Sequence, residues 1–374
     1  MKTSANKIPY VNLQEQWLEE RDDLLPIMDK VFASAQFVGG EELDRFEDNI
    51  AKLCGTKYAC ALNSGTDALM LALVMSGVRK GDEVITPPNS FIASTAAIVH
   101  IGAIPVFVDV LPDQNIDPSK IENAITKKTK AIMPVHLTGR MCDMDPIMAI
   151  AKKYDLLVIE DAAQSVGSQY KGKSSGSIGD VGCFSTHPLK NLNACGDGGF
   201  LTTNDENIFN KTKLYRNHGM ADRNIVHNFG SVSRMDNLQA AILNYRLDKL
   251  KATIDKRRSN AKAYVKGINN HNLFFPKEKE SEYNTYHTFV IQTQYRDELK
   301  EYLSVNDIDT AIHYPFPIHL QPASKKLGYK TGDFPITEKQ SKEILTLPVN
   351  QYITENDIQR IIKVLNEFKS KIIF

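Results

Sequence analysis

The chain lacks a surplus of either charge: among 374 residues, 45 Lys and Arg are matched by 45 Asp and Glu. That balance excludes a general electrostatic attraction to nucleic acid or to an anionic membrane, so any bound anion must be held by local geometry. Long apolar runs are also missing. The most apolar stretch, Ala96 to Leu111, is interrupted by His100, Gly102, Pro105 and Asp109, which excludes a membrane span. Met1 to Leu13 holds no apolar core of the secretory kind. There are five cysteines, Cys54, Cys60, Cys142, Cys183 and Cys195; an odd count without an export signal predicts reduced thiols and a cytoplasmic protein. No paired C-x-x-C motif is present. Cys183, His187 and Cys195 have no evident fourth ligand, so no metal site is predicted. No G-x-G-x-x-G follows the first predicted strand, and the dinucleotide-binding fingerprint is therefore absent. There is no internal repeat and no low-complexity tract.

What is present is the composition of an ordinary globular protein, 42% hydrophobic and 24% charged. The length exceeds one small core and predicts two domains. From Thr56 to Thr203, short apolar segments alternate with helical ones. Strands are predicted at Tyr58 to Leu62, Glu83 to Thr86, Ile104 to Val110, Ala131 to Val135, Leu156 to Glu160, Gly182 to Ser185 and Gly199 to Thr203. Helices are predicted at Thr66 to Gly77, Ser90 to Ile101 and Pro146 to Tyr154. Continuous apolar strands alternating with helices specify an α/β fold with a mostly parallel sheet covered on both faces, and such sheets bind ligands at the carboxyl ends of their strands. After Met235 the pattern changes. Asp236 to Lys251 has helical spacing and continues into a basic stretch at Lys256, Arg257 and Arg258. Beyond it, strands at Tyr286 to Gln292 and Thr310 to His313 and helices at Arg296 to Leu303 and Glu355 to Ser370 suit a smaller α+β unit. The division expected is a large domain over residues 1–250, including the N-terminal segment, and a small C-terminal domain over 251–374.

Three segments carry chemistry. Asn63-Ser64-Gly65-Thr66-Asp67 follows a strand and opens a helix, whose unpaired N–H groups and positive dipole end suit a phosphate; an ordinary N-cap by Ser64 or Thr66 fits the same residues. Leu156 to Gln164 puts Asp161 at the end of a buried strand, where a carboxylate needs a cation or donors, with Gln164 close behind; Asp161 as a plain helix cap is the other reading. Gly182 to Gly199 places Lys190 in a Gly-bounded loop beside a strand end. Burial there would lower its pKa and make the amine a nucleophile and proton carrier, whereas a lone loop lysine is ordinarily a solvated charge.

Taken together, and in this order, the motifs NSGTDAL, EDAAQ and HPLKNLNACGDGG resemble those of the fold-type I aminotransferases of the DegT/DnrJ/EryC1/StrS group, enzymes dependent on pyridoxal phosphate (PLP). The likeness runs over nearly the whole chain, from Ile8-Pro9-Tyr10-Val11-Asn12-Leu13 to Arg234-Met235-Asp236-Asn237-Leu238-Gln239-Ala240-Ala241. It implies that Lys190 is the Schiff-base lysine, that Asp161 bonds the pyridine nitrogen and that Gln164 lies near the ring hydroxyl. Gly65, Thr66 and Ser185 match the phosphate-cradle positions, and Phe91 the position stacked on the ring face; apart from the resemblance, Phe91 reads as a core residue on a helix. One departure is Val232, where many relatives carry an Asn that reaches the phosphate in the partner subunit; Asn228 or Ser231 are the local substitutes.

The resemblance further implies L-glutamate as amino donor and a keto sugar as acceptor, most often a nucleotide-linked 3- or 4-keto-6-deoxy hexose, in a homodimer with shared active sites. Candidate substrate contacts are His187, His313, Tyr314 and His319, with Arg216, His218 and His227 as further polar candidates. Two alternatives within the same chemistry are a smaller phosphorylated keto substrate and a sugar dehydratase using pyridoxamine phosphate. Such dehydratases carry His at the position of Lys190, which argues against the second.

Overall fold

The structure, a computed structural model, describes residues 7–370; what was expected of residues 1–6, and the outer ends of both expected domains, lies outside that range. A seven-stranded sheet forms the centre. Its strands are β1 (Tyr58–Leu62), β2 (Glu83–Thr86), β3 (Ile104–Phe107), β4 (Thr129–Ile132), β5 (Leu157–Asp161), β6 (Val181–Ser185) and β7 (Gly199–Thr203), in the spatial order β1-β7-β6-β5-β4-β2-β3. The run from β6 through β3 is parallel, and β7 lies antiparallel to both of its neighbours. Val84, Ile132, Ile159 and Leu201 are fully buried, as strands covered on both faces require.

Helices α1 (Leu13–Ser34), α2 (Glu41–Cys54), α3 (Gly65–Met75), α4 (Ile92–His100) and α5 (Met144–Tyr154) flank this sheet or the helices upon it. The N-terminus of α3 sits close on the ends of β6 and β7. A Cβ on Gly199 would come within 2.4 Å of the Ser64 carbonyl carbon, and one on Gly65 within 2.8 Å of the Ser185 Cβ, so both positions need glycine for this approach.

Helix α6 (Asn237–Gly267) has 31 residues, about 46 Å at 1.5 Å per residue. Its first half, through Ala240, Leu243, Leu250 and Ile254, packs into one core with α2 and the sheet. Its second half contributes Ala261 and Tyr264 to a separate core with Ile291, Leu345, Ile361 and Leu365. The expected division between residues 250 and 251 falls inside this helix. The C-terminal core is closed by strands β8 (Phe289–Gln292) and β9 (Ile344–Leu347), which pair antiparallel, and by helix α7 (Glu355–Glu367) lying on α6.

Several expected ends shift for local reasons. β3 stops at Phe107 because Asp109 turns its carboxylate to the N–H groups of Val110, Ile336 and Thr337, capping the helix Pro335–Glu343. β8 starts at Phe289, since the carbonyls of Tyr286 and His287 accept from the Arg257 side chain. The strand expected at Thr310 to His313 is reduced to one bridge between Ala311 and Thr346; Pro315 and Pro317 lack the N–H needed to continue a ladder. Among the described residues, no helix is long and apolar enough to cross a membrane.

Candidate active site

The carboxyl ends of β5 and β6, the N-terminus of α3 and the loop carrying Lys190 enclose a cleft of about 470 Å³. Parity along β5 sends its last two carboxylates to opposite faces. Glu160 turns away from the cleft and accepts from the backbone N–H groups of Gly176 (2.8 Å), Ile178 (2.8 Å) and Gly179 (2.6 Å). It also meets Nε2 of His136 at 2.9 Å; because Nδ1 of that ring accepts from the Cys142 N–H, Nε2 is the donor. Burial alone would raise the Glu160 carboxyl, yet these donors hold it below its ordinary range.

Asp161 faces the cleft. Its Oδ2 accepts from the Ser94 hydroxyl at 2.6 Å and its Oδ1 from the Ala163 N–H at 3.2 Å. Burial dominates and raises its pKa, while Ser94, Ala163 and the Lys190 charge oppose that rise. Lys190 lines the same cleft, and burial lowers its pKa to about 8 against the opposing charge of Asp161. An amine whose pKa is brought to about 8, well below that of a solvated lysine, and a buried carboxyl group thus face one space.

The other positions named from the sequence divide into two groups. Gly65, Thr66, Phe91, Gln164 and Ser185 all line the cleft. Phe91 is no core residue: it is 54% exposed at the start of α4, with its ring 5.7 Å from that of Tyr314. Gln164 accepts from the Thr138 N–H at 2.8 Å and donates to the Tyr314 hydroxyl at 3.4 Å. His187, His313 and Tyr314 are on the wall too. Burial, then the Lys190 charge, lowers the His313 pKa to about 4, so its ring is neutral.

His319 is not on that wall. It is buried with its ring against Phe334 and Nε2 3.1 Å from Glu338, fastening the 316–338 segment. Arg216 is likewise structural, pairing with Glu47 and the Ala61 carbonyl in the interior. His218 and His227 stand at the base of the hairpin Met220–Asp222 and Ile225–Val226, outside the cleft. Asn228, Ser231 and Val232 also lie off it; Asn228 and Ser231 border a groove beside α3. Among the described residues, no group of three or more His, Cys, Asp or Glu side chains is placed to hold a metal ion.

The sequence reading missed Ser94, His287, Arg257 and Tyr10. Ser94 lies three residues after Phe91 on α4, so a helical-face argument would have found it. His287 and Arg257 carried no local signal beyond a basic stretch.

The residues present fit PLP. A helix N-terminus with Thr66 and Ser185 beside it suits the phosphate, the Asp161 carboxylate suits a protonated ring nitrogen, and Lys190 lies in the same cleft. The model of the DegT/DnrJ/EryC1/StrS aminotransferase family matches residues 19–366, and the chain belongs to that family. It is accordingly a PLP-dependent aminotransferase of fold-type I. It is 40% identical to a "pleiotropic regulatory protein" of Geobacillus stearothermophilus, covering 96% of this chain and 98% of the relative. It is also 40% identical to the dTDP-3-amino-3,6-dideoxy-alpha-D-galactopyranose transaminase of Aneurinibacillus thermoaerophilus, over 96% of this chain and 99% of that enzyme. Among solved structures, S. venezuelae DesV in complex with a ketimine intermediate superposes with a TM-score of 0.95 at 35% identity, covering 97% of this chain and 98% of that one.

Proposed function

We propose that this protein moves the amino group of L-glutamate to a nucleotide-linked keto sugar, a 3- or 4-keto-6-deoxy hexose, in surface polysaccharide or glycoconjugate biosynthesis. The observation that carries the reading is the pairing of Lys190, with its pKa lowered to about 8, and buried Asp161 in one cleft. Transaminase relatives acting on dTDP- and UDP-linked amino sugars support the acceptor class.

Bound PLP supplies the electron sink for the carbanion that forms at the donor carbon. The chain supplies position and proton transfer. Thr66, Ser185 and the α3 N-terminus hold the phosphate. Asp161, fixed by Ser94, would keep the ring nitrogen protonated, and Phe91 would cover the ring. Lys190 Nζ is placed to take the proton from the donor carbon and would return it to the cofactor carbon that receives the nitrogen, with the two roles exchanged in the acceptor half. Burial of His313 in the neutral state leaves it able to donate or accept one hydrogen bond to substrate.

The working unit proposed is a homodimer in the cytoplasm. Exposed Leu18, Leu25 and Phe32 on α1, and Phe229 at 97% exposure, are apolar surface suited to a second copy, and the five free cysteines suit a reducing compartment.

The test is single-turnover release of 2-oxoglutarate from L-glutamate by PLP-loaded protein, followed by acceptor screening with nucleotide-linked keto hexoses against simple phosphoketoses. One 2-oxoglutarate per subunit is expected for the native protein and none for Lys190→Ala. Release by the variant at the native rate would remove Lys190 from its role, and turnover with phosphoketoses alone would replace the acceptor class.

A further inference from the structure

Four arginines are buried among the described residues: Arg140, Arg216, Arg246 and Arg257. Three of them meet a carboxylate, Arg140 with Glu282, Arg216 with Glu47 and Arg246 with Glu20. Arg257 does not. It is 7% exposed, its Nη1 donates to the carbonyls of Tyr286 (3.4 Å) and His287 (3.2 Å), and its buried Nε–H has no acceptor. The groups whose charge acts on it are two tyrosines, Tyr10 and Tyr352, with no acid among them.

A guanidinium held out of water without a counter-ion is unfavourable, and breaking such a pair ordinarily destabilises a fold strongly. Arg257 lies on the cleft wall, so its missing partner can come from outside. The two histidines beside it on that wall, His287 and His313, are held neutral by burial, which leaves Arg257 as the fixed positive charge there. His287 feels the charges of both Lys190 and Arg257, which sets the reactive amine and the guanidinium around one ring. The helix N-terminus suited to phosphate belongs to α3, a different wall.

We propose that Arg257 anchors a carboxylate of the amino donor, holding it by charge and by the planar fork of the guanidinium while the donor's other end meets Lys190. This assignment rests on the aminotransferase reading above. Arginine suits the task because its fork matches a carboxylate and its charge persists at every working pH.

The test is equilibrium binding of two probes to the PLP-loaded protein: glutarate, a dicarboxylate without an amine, and dTDP, a nucleoside diphosphate. Arg257→Met is expected to weaken glutarate by roughly tenfold or more, the range for a lost hydrogen bond to a charged group, and to leave dTDP within about twofold. Arg257→Lys keeps the charge without the fork and is expected to fall between the two; it carries the test if the methionine variant fails to fold. Unchanged glutarate binding in either variant overturns the proposal. Equal loss of dTDP does so as well, because the site would then take diphosphate. Glutarate binding needs no turnover, so absence of transamination would defeat the reaction assigned above without touching this result.

Discussion

At the scale of single residues, the proposed chemistry rests on two side chains displaced from their ordinary titration in opposite directions. Burial raises Asp161 and lowers Lys190 to about 8. A lysine attacks a carbonyl only as the free amine, so protonation below its pKa slows it. Cofactor loading by the apo-protein should therefore fall as pH drops through about 8, where a solvated lysine would already lose rate below about 10.4. Stopped-flow absorbance of PLP uptake across pH measures the midpoint; a value at the solvated position would show that the amine is not desolvated. Both residues were legible in the sequence, because each ends a buried strand or a glycine-bounded loop. Arg257 was not, since the basic run around it reads as a solvated face until α6 is seen to turn that one arginine inward. His319 misled for the complementary reason: an aromatic, proline-rich loop can border a cleft or, as here, pack under its own following helix.

At the scale of elements, β1, β2 and β7 were legible to their end residues, where an apolar run and a turn signal coincide. Ends failed where a side chain intervened, as Asp109 does after β3 and Arg257 before β8. Helix α1 escaped sequence reading because its faces are mixed: Gln16 and Glu20 point inward with Leu24 and Val31, while Trp17, Leu18 and Phe32 point out. The inward pair is satisfied by Asn193 and Arg246, which ties α1 to the segment just after Lys190. The contact between the α3 entry and the start of β7 is tighter still. Gly199→Ala is expected to cost about 1–3 kcal/mol in stability, as overpacking does, and to weaken PLP retention by displacing the Ser64-Gly65 backbone. Thermal melts with and without PLP measure both effects. A variant with native melting and native PLP affinity would show that this backbone approach can relax freely.

At the scale of the whole molecule, α6 belongs to two cores at once, which explains why the sequence signalled a change of character after Met235 without marking a linker. The outward apolar face of α1 belongs to this scale too. A single copy leaves it in water, and sedimentation of the native protein should give a dimer. Paired Leu18→Glu and Phe32→Glu substitutions should shift it to monomer with its helix content unchanged. A native monomer at high protein concentration would remove the proposed partner.

The alternation of Glu160 and Asp161 along β5 has a consequence for how such a chain can drift over generations. Neighbouring strand positions serve opposite faces, so the segment Leu157–Asp161 behaves like a reading frame. Inserting or deleting one residue within it would turn the loop-binding carboxylate into the cleft and the cleft carboxylate into the loop. Lengthening the turn before Leu157, or substituting residues within the strand, leaves both faces in place, whereas a single-residue gain or loss inside it acts as a frameshift of the fold.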